Sequence, residues 1–367
     1  MLTPAERQRY RRHLQLAEIG EAGQLRLRAA RVLVVGAGGL GCPVLQYLAA
    51  AGVGTLGLTD ADRVEMSNLQ RQILFGPADL GQLKAEVAAR AVQRLNPLVH
   101  CEVYPVRVVP GNVRALVAAY DVVVDGSDNF ATRYLLNDAC VSLGKPLVSG
   151  AIYKFEGQVS VFNYRGGPSY RCLFAQPPGP AEAPNCDATG VLGVLPGLVG
   201  TAQATEALKV ILDLGEVLRG RLWVIDALTF QSRTLRFPRH PERSLINLDT
   251  ANPADYADPG CAPAPAGISA AELAGLLTSA APPLLLDVRE PAEFAAGHLP
   301  GARLLPLSRL SEQAATVPHD QPVVVYCRSG ARSAQAIAHL QAACGHQNLL
   351  NLEGGLLACP PDLLTTQ

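Results

Sequence analysis

Val32-Leu-Val-Val-Gly-Ala-Gly-Gly-Leu-Gly41 is the stretch from which the rest of the chain is read. Its four apolar, mostly β-branched residues predict a buried strand, and Gly36, Gly38 and Gly41 follow on G-x-G-x-x-G spacing. Residues 40–51 are apolar and alanine-rich, with Pro43 in the first turn where a missing N–H costs nothing, and so predict a helix. Strand, glycine turn and helix start in this order make an anion site. Gly36 lets the chain reverse, Gly38 lets backbone N–H groups come close to a ligand, and Gly41 lets the helix pack on the strand, so that a phosphate sits on the helix N-terminus. Thr55-Leu-Gly-Leu-Thr59 predicts the next strand, and Asp60 behind it stands where an acidic residue bonds ribose hydroxyls. The turn therefore predicts a nucleotide, and taken alone it predicts NAD.

The chain has 367 residues, enough for two or three domains, and its 31 basic and 32 acidic residues leave a net charge of −1. No global field draws it to nucleic acid or to an anionic membrane. No apolar run reaches the ~18 to 20 residues that span a bilayer, and the first ten residues lack the apolar core of a signal peptide. A cytoplasmic protein is the expectation. Nine scattered cysteines, an odd number, suit reduced thiols better than a disulfide framework.

Residues 1–30 read as helical segments, and composition alone makes Arg9, Arg11 and Arg12 a solvated face. After the glycine turn the patterns alternate: helix over 83–95, strand over 101–108, helix over 113–119, and a buried strand at Asp121-Val-Val-Val-Asp125. Alternation of this kind predicts an α/β fold, a mostly parallel sheet with helices on both faces. Pro146-Leu-Val-Ser-Gly150 and residues 155–163 add β structure, 164–187 read as a long irregular loop, and a helix over 196–212 and a strand over 221–237 close a first domain, 1–245. Loops of that length are uncommon without a function. Residues 246–266, with prolines at 253, 259, 263 and 265, read as a semi-stiff linker. A smaller α/β domain, 267–367, follows, with strands at Leu284-Leu-Leu-Asp-Val288 and Pro322-Val-Val-Val-Tyr326 and helices over 291–296 and 333–344.

Asn68-Leu-Gln-Arg-Gln72 lies in a loop, Lys84 opens the next helix, and Asp125-Gly-Ser-Asp-Asn129 ends a central strand at the edge where ligands of such sheets bind. Two cations, Arg71 and Lys84, and the carboxylate of Asp128 supply what a triphosphate needs: charge neutralisation and a ligand for its magnesium. Hydride transfer needs none of the three, which counts against an NAD-dependent oxidoreductase.

Gly36-Ala-Gly-Gly-Leu-Gly41, Ser67-Asn-Leu-Gln-Arg-Gln72, Gly81-Gln-Leu-Lys84 and Asp125-Gly-Ser-Asp-Asn129 together resemble the MoeB/ThiF adenylyltransferases, relatives of the ubiquitin-activating enzymes, over residues 5–240. The resemblance implies the Rossmann-like fold of those enzymes, a homodimer, and ATP-dependent adenylylation of the C-terminal glycine of a ubiquitin-like sulfur carrier ending in Gly-Gly. It further implies that Gly39, Asp60, Asn68, Arg71, Lys84, Asp128 and Asn129 bind or act on ATP, and that Arg12 reaches the ATP of the partner subunit. Cys186, in Asn185-Cys-Asp-Ala-Thr-Gly190, matches the family's reactive cysteine. The chain departs from the family at the structural zinc, which takes two C-x-x-C pairs. Here Cys172-Leu-Phe-Ala175 keeps one of the four ligands and residues 240–246 keep none, so no structural zinc is expected.

In the second domain Tyr326-Cys-Arg-Ser-Gly-Ala-Arg-Ser333 follows a buried strand and opens a helix. Such a loop aims backbone N–H groups and the helix dipole at the Cys327 sulfur, and two arginines are expected to favour the thiolate further. With Asp287-Val-Arg-Glu-Pro-Ala-Glu-Phe-Ala-Ala-Gly-His-Leu-Pro-Gly-Ala302 and Glu353-Gly-Gly355, this segment resembles a rhodanese domain, which implies a persulfide on Cys327 held by Arg328, Ser329, Gly330, Ala331 and Arg332. A tyrosine phosphatase would carry arginine six positions after the cysteine, where Ser333 stands. Asp287 and His298 read as structural hydrogen-bonding residues. The tryptophan usual after the Gly-Gly is absent, Cys359 standing near its place, which predicts a loosened domain end. The fusion predicts a coupled enzyme, supplied by a persulfide donor such as a cysteine desulfurase, that makes a thiocarboxylate with Cys186 as resolving thiol. Two rivals remain open: a second domain with a separate sulfur-transfer role, and a carrier-binding scaffold. Molybdopterin, thiamine, tRNA thiolation and cysteine biosynthesis all use this chemistry, and the residues do not choose among them.

Overall fold

The computed structural model describes residues 1–177, 190–244, 248, 256, 266–279, 282–360 and 365. The chain divides into two units, Met1–Ala257 and Asp258–Gln367.

In the first unit α1 (Pro4–Arg9), α2 (Arg11–Leu14) and α3 (Gly20–Ala29) precede β1 (Arg31–Val35). Helices and strands then alternate: α4 (Gly41–Ala51), β2 (Thr55–Thr59), α5 (Lys84–Leu95), β3 (His100–Tyr104), α6 (Pro110–Ala118), β4 (Val122–Asp125), α7 (Phe130–Leu143) and β5 (Leu147–Tyr153). Side chains of a strand point to alternate faces, and both faces of β1 are covered. Val32 and Val34 pack with Leu45 and Leu48 of α4 and Val87 of α5. Leu33 and Val35 pack on the other face with Val117 of α6 and Leu135 of α7. Leu48 is completely buried, so Leu48→Ala should cost about 2–5 kcal/mol, the loss of its burial plus the cavity it leaves.

Strand order is β3-β2-β1-β4-β5, all parallel, and β1 lies between β2 and β4 in the register Val35↔Thr59 and Val35↔Asp125. The chain leaves β1 toward β2 on one side and resumes with β4 on the other. Ligands of doubly wound sheets bind at the carboxyl ends of the strands where that reversal occurs.

Beyond β5 the sheet continues antiparallel through β6 (Glu156–Phe162), β7 (Arg221–Asp226) and β8 (Ser232–Arg236). α8 (Tyr170–Leu173) and α9 (Leu195–Leu212) lie between β6 and β7 in the chain. Three sequence expectations are corrected here. The strand expected over 221–237 is a hairpin whose turn uses Phe230 at φ 58°, a left-handed conformation that no turn residue announces. The strand expected over 101–108 stops at Tyr104. The loop expected over 164–187 contains α8, which buries Tyr170 and Cys172; its residues 178–187 lie outside the described residues.

The second unit comprises β9 (Gly267–Ile268), α10 (Ala270–Leu277), β10 (Leu284–Asp287), α11 (Pro291–Ala295), β11 (Arg303–Leu304), α12 (Leu310–Gln313), β12 (Val323–Tyr326), α13 (Ala331–Cys344) and β13 (Leu349–Leu352). Five parallel strands run in the order β11-β10-β12-β13-β9, with β12 at the centre. Cys359 is buried with Leu273, Leu285 and Val324, so its place in the chain is packed rather than loosened. No helix among the described residues is long and apolar enough to cross a membrane.

Candidate active sites

The glycine turn lies where the strand order places it, at the carboxyl end of β1. Gly36 sits at φ +88°, and a Cβ there would lie 2.8 Å from the carbonyl oxygen of Gly126, so the turns after β1 and β4 touch. Gly41 has a sharper constraint than helix-on-strand packing. A Cβ on it would lie 1.9 Å from the Gly36 carbonyl oxygen, which means that only glycine lets the turn close on itself. A Cβ on Gly38 would find nothing nearer than Gln72 Nε2 at 3.7 Å, which leaves the ligand side of the turn open. A Cβ on Gly39 would lie 3.0 Å from Pro196 of α9 and 3.6 Å from the Arg71 side chain.

Asp60, one residue past β2, holds this turn. Its Oδ2 accepts the Ala37 N–H at 2.8 Å and its Oδ1 accepts the Asp62 N–H at 2.8 Å, so each oxygen keeps a lone pair for a ligand hydroxyl. Burial pushes its carboxyl above the ordinary range. Lys84 at the start of α5 is buried, and its Nζ bonds Asp62 Oδ2 at 3.0 Å. Arg71 donates to the Ser67 carbonyl at 3.0 Å while its stem lies against the turn.

Two residues expected on the nucleotide also have structural partners. Asn68 accepts the Glu65 N–H at 3.1 Å, and Asn129 caps α7 by accepting the Thr132 N–H at 2.8 Å. Asp128 is exposed beside that cap, and among the described residues its carboxylate accepts from Asn129 Nδ2 at 3.5 Å. Arg12 is exposed on α2 and bonds Gln15 at 3.5 Å, so within one chain it is not drawn to the turn. Cys186 lies outside the described residues.

Two residues of this site carry roles that the sequence reading does not give them. Asp125, fully buried at the end of β4, accepts from Ser127 N and Oγ at 3.0 and 2.6 Å and from Ser149 Oγ at 3.2 Å. Burial pushes its carboxyl up, and Arg133 and these donors oppose that. A carboxylate ending a buried apolar strand must be paired somewhere, which was the available signal. Gln72 is 4% exposed beneath Gly38, with Oε1 unpartnered among the described residues.

Cys172 is buried on α8. Its sulfur accepts the His240 N–H at 3.2 Å and lies 3.4 Å from Ser169 Oγ, and among the described residues no three His, Cys, Asp or Glu side chains group to hold an ion. Hydrogen bonding between this thiol and the His240 backbone joins α8 to the segment at 240.

The second site follows β12. Gly330 N–H donates to the Cys327 sulfur at 3.2 Å, and the buried Ser333 hydroxyl lies 3.6 Å from it. Burial resists the thiolate, but the Ser333 hydroxyl and the N–H groups of Ser333, Ser329 and Gly330 outweigh it and pull the thiol below its ordinary value. Burial pushes Cys42 up to about 12 and also raises Cys101, Cys140 and Cys359. Cys327 is thus lowered toward reactivity where these four are raised away from it.

The arginines act differently from expectation. Arg332 is held by Glu293 of α11 in a two-bond ion pair, 2.7 Å at each nitrogen, so it does not lie free over the sulfur. Hydrogen bonds from Ser333 and the loop backbone, not the two guanidinium groups, head the favourable influences on Cys327. Asp287 and His298 have the expected structural partners: Asp287 binds Arg289 at 2.7 Å, and His298 Nδ1 lies 3.0 Å from the Phe294 carbonyl.

Turn, switch point and cysteine cradle together define a class: the chain belongs to the ThiF family, which matches residues 10–245, and it carries a rhodanese-like domain over residues 269–359. Among known proteins it is similar to one named probable adenylyltransferase/sulfurtransferase MoeZ of Mycobacterium tuberculosis, 44% identical across 97% of this chain and 93% of that one. It is also similar to the sulfur carrier protein adenylyltransferase of Thermus thermophilus, 54% identical over 65% of this chain and 90% of that one. Adenylyltransferase and sulfurtransferase MOCS3 of Mus musculus is 42% identical over 95% and 84%. Escherichia coli MccB, solved with MccA-N7isoASN, shares the fold: TM-score 0.57 and 22% identity, over 64% of this chain and 73% of that one.

Proposed function

We propose that this chain is an enzyme with two activities, adenylylating the C-terminal glycine of a ubiquitin-like sulfur carrier and then delivering sulfur to it from a Cys327 persulfide. The observation that carries the first activity is the self-closing Gly36–Gly41 turn at the β1/β4 crevice with Asp60 bonded into it. A carboxylate attacking a polyanion needs the phosphate charge cancelled and the reacting groups held in line. Turn N–H groups, Arg71 and Lys84 would receive the phosphates, Asp60 the ribose, and Asn68 and Asn129 would border the nucleotide. Asp128, exposed at the end of β4, fits an oxygen ligand for magnesium, which neutralises phosphate charge when bound. The carrier carboxylate attacks the α-phosphorus and pyrophosphate leaves. Arg12 would act on the ATP of a partner subunit in a homodimer.

The lowered Cys327 thiol supports the second activity. Its persulfide attacks the acyl adenylate and releases AMP. A thiolate, for which Cys186 is the candidate, then attacks the Cys327 sulfur and frees the carrier thiocarboxylate, leaving a disulfide for an external thiol to reduce. A persulfide donor such as a cysteine desulfurase reloads Cys327, and free cysteines of this kind suit the reducing cytoplasm.

Two measurements test this reading. Pyrophosphate exchange should require a carrier ending in Gly-Gly and should fall at least a hundredfold in Lys84→Ala. Carrier thiolation from a persulfide donor should be lost in Cys327→Ala. Exchange without a carrier, or undiminished thiolation in Cys327→Ala, refutes it.

A further inference from the structure

We infer that Glu293 is a specificity-determining residue of the sulfur-transfer site: by holding Arg332 it tunes the loop to persulfide donors and against dianionic inorganic sulfane donors such as thiosulfate. The inference rests on the reading that Cys327 carries sulfane sulfur.

Three arginines stand at the carboxyl ends of the neighbouring strands β10 and β12. Arg289 is buried against Asp287, with Nη2 to Oδ2 at 2.7 Å. Arg332 forms its fork with Glu293, and both side chains are half-buried, at 36% and 35% exposure. Of the three, Arg328 alone has no carboxylate partner among the described residues, and it is exposed beside Cys327. The positive charge available to a ligand at this mouth is therefore close to that of one guanidinium, not the two that the loop sequence suggests.

The two donor classes demand different amounts of charge. Thiosulfate loads the enzyme by Cys–S⁻ + S–SO3²⁻ → Cys–S–S⁻ + SO3²⁻: the thiolate attacks the outer sulfur, the S–S bond breaks, and sulfite leaves with the electron pair. Three negative charges meet in that transition state. A persulfide reacts by Cys–S⁻ + R–S–SH → Cys–S–SH + R–S⁻, with the same bond made and broken, the departing thiolate taking its proton from water, and a charge of −1 on the reacting sulfur atoms, any carboxylates of R lying remote from them. Backbone N–H groups, the Ser333 hydroxyl and Arg328 match the second case. For the first, Arg332 would have to leave Glu293, giving up two charge-assisted hydrogen bonds.

The test uses the full chain and compares kcat/KM for thiosulfate with kcat/KM for glutathione persulfide, cyanide accepting the sulfur, in the wild type, Glu293→Gln, Arg332→Ala and the double variant. Glu293→Gln should raise the thiosulfate-to-persulfide ratio about tenfold, mainly through a lower KM for thiosulfate, as expected for one half-exposed charge, and added salt should shrink the gain. The double variant should lose it, because the freed cation is Arg332. An unchanged or lowered ratio in a Glu293→Gln protein that melts like the wild type overturns the inference, as does a gain that survives in the double variant. Should Glu293→Gln misfold, the double variant decides: it removes a neutral pair, so the inference expects the ratio within about twofold of wild type, and a tenfold change overturns it. Cys327→Ala separates the two levels. Its loss of both activities leaves the outcome to the ratio, whereas survival of either removes the Cys327 reading itself.

Discussion

Replacing Ser333 by alanine removes the hydroxyl facing the Cys327 sulfur and so tests what makes this thiol acidic. The Oγ–Sγ distance is 3.6 Å, and the same hydroxyl reaches the Gly330 carbonyl at 3.0 Å, so one proton serves two acceptors. Hydrogen bonds to ions are worth about 1.5–3 kcal/mol, and a shared, long contact to diffuse sulfur belongs at the lower end. About 1.4 kcal/mol equals one pH unit, so the thiol midpoint should rise by about that much. The Gly330 N–H at 3.2 Å remains and keeps the rise from being larger. Alkylation of Cys327 by a small reagent, followed against pH, should show the displaced midpoint and an up to tenfold slower rate on its acid side. The folded thiol is depressed below its unfolded value, so the thiolate stabilises the fold above the unfolded midpoint, and that contribution disappears as pH falls through the folded one. The variant should therefore gain less stability at alkaline pH. An alkylation midpoint that stays in place in a folded Ser333→Ala protein would refute the assignment.

Gly41→Ala should abolish carrier-dependent pyrophosphate exchange and lower the melting temperature, because its Cβ would sit 1.9 Å from the Gly36 oxygen; wild-type exchange in that variant would count against the turn geometry. Hydrogen bonding from Arg332 holds Glu293 down to about 2 against an ordinary value of 4.5, so the pair's stabilisation is present above 4.5 and lost as pH falls through about 2. Discounted for exposure it amounts to about 1 kcal/mol, and Glu293→Gln should flatten the acid limb of a denaturation series by that amount. Prolonged chelation should leave the melting temperature of the purified protein unchanged, since the Cys172 sulfur is engaged by the His240 N–H; a fall of several degrees would reveal a structural metal.

The parallel half of the first sheet was legible because β1 and β4 are buried on both faces and read as apolar runs, with the buried β2 alternating Thr and Gly with Leu between them. The β7–β8 hairpin was not, because its turn contains no Gly, Asn or Pro and leaves the left-handed position to Phe230. β9 and β11 are two residues long, too short for periodicity to register. At the sites, backbone devices could be read and side-chain pairings could not. The Cys327 loop announces its N–H groups by its length and following helix, whereas Glu293 and Arg332 stand 39 residues apart and meet only because β10 pairs with β12. Ser333 was visible as the absence of a phosphatase arginine, and its contact with sulfur needed the first turn of α13 in place. Asn68 and Asn129 show the converse: residue type and motif gave a ligand role, while the fold also uses each to cap a turn or helix.

The contrast among the cysteines bears on damage as well as on catalysis. Oxidants and electrophiles select thiolates. With Cys42, Cys101, Cys140 and Cys359 kept protonated by burial, chemical insult falls on Cys327 before it falls on those four. The residue is only 1% exposed, so the hazard is confined to small reagents. Were Cys327 to carry the persulfide proposed above, the outer sulfur would meet them instead, and reductive cleavage of the S–S bond would return the thiol intact. Keeping the site charged with sulfur would thus guard the one atom on which its chemistry depends.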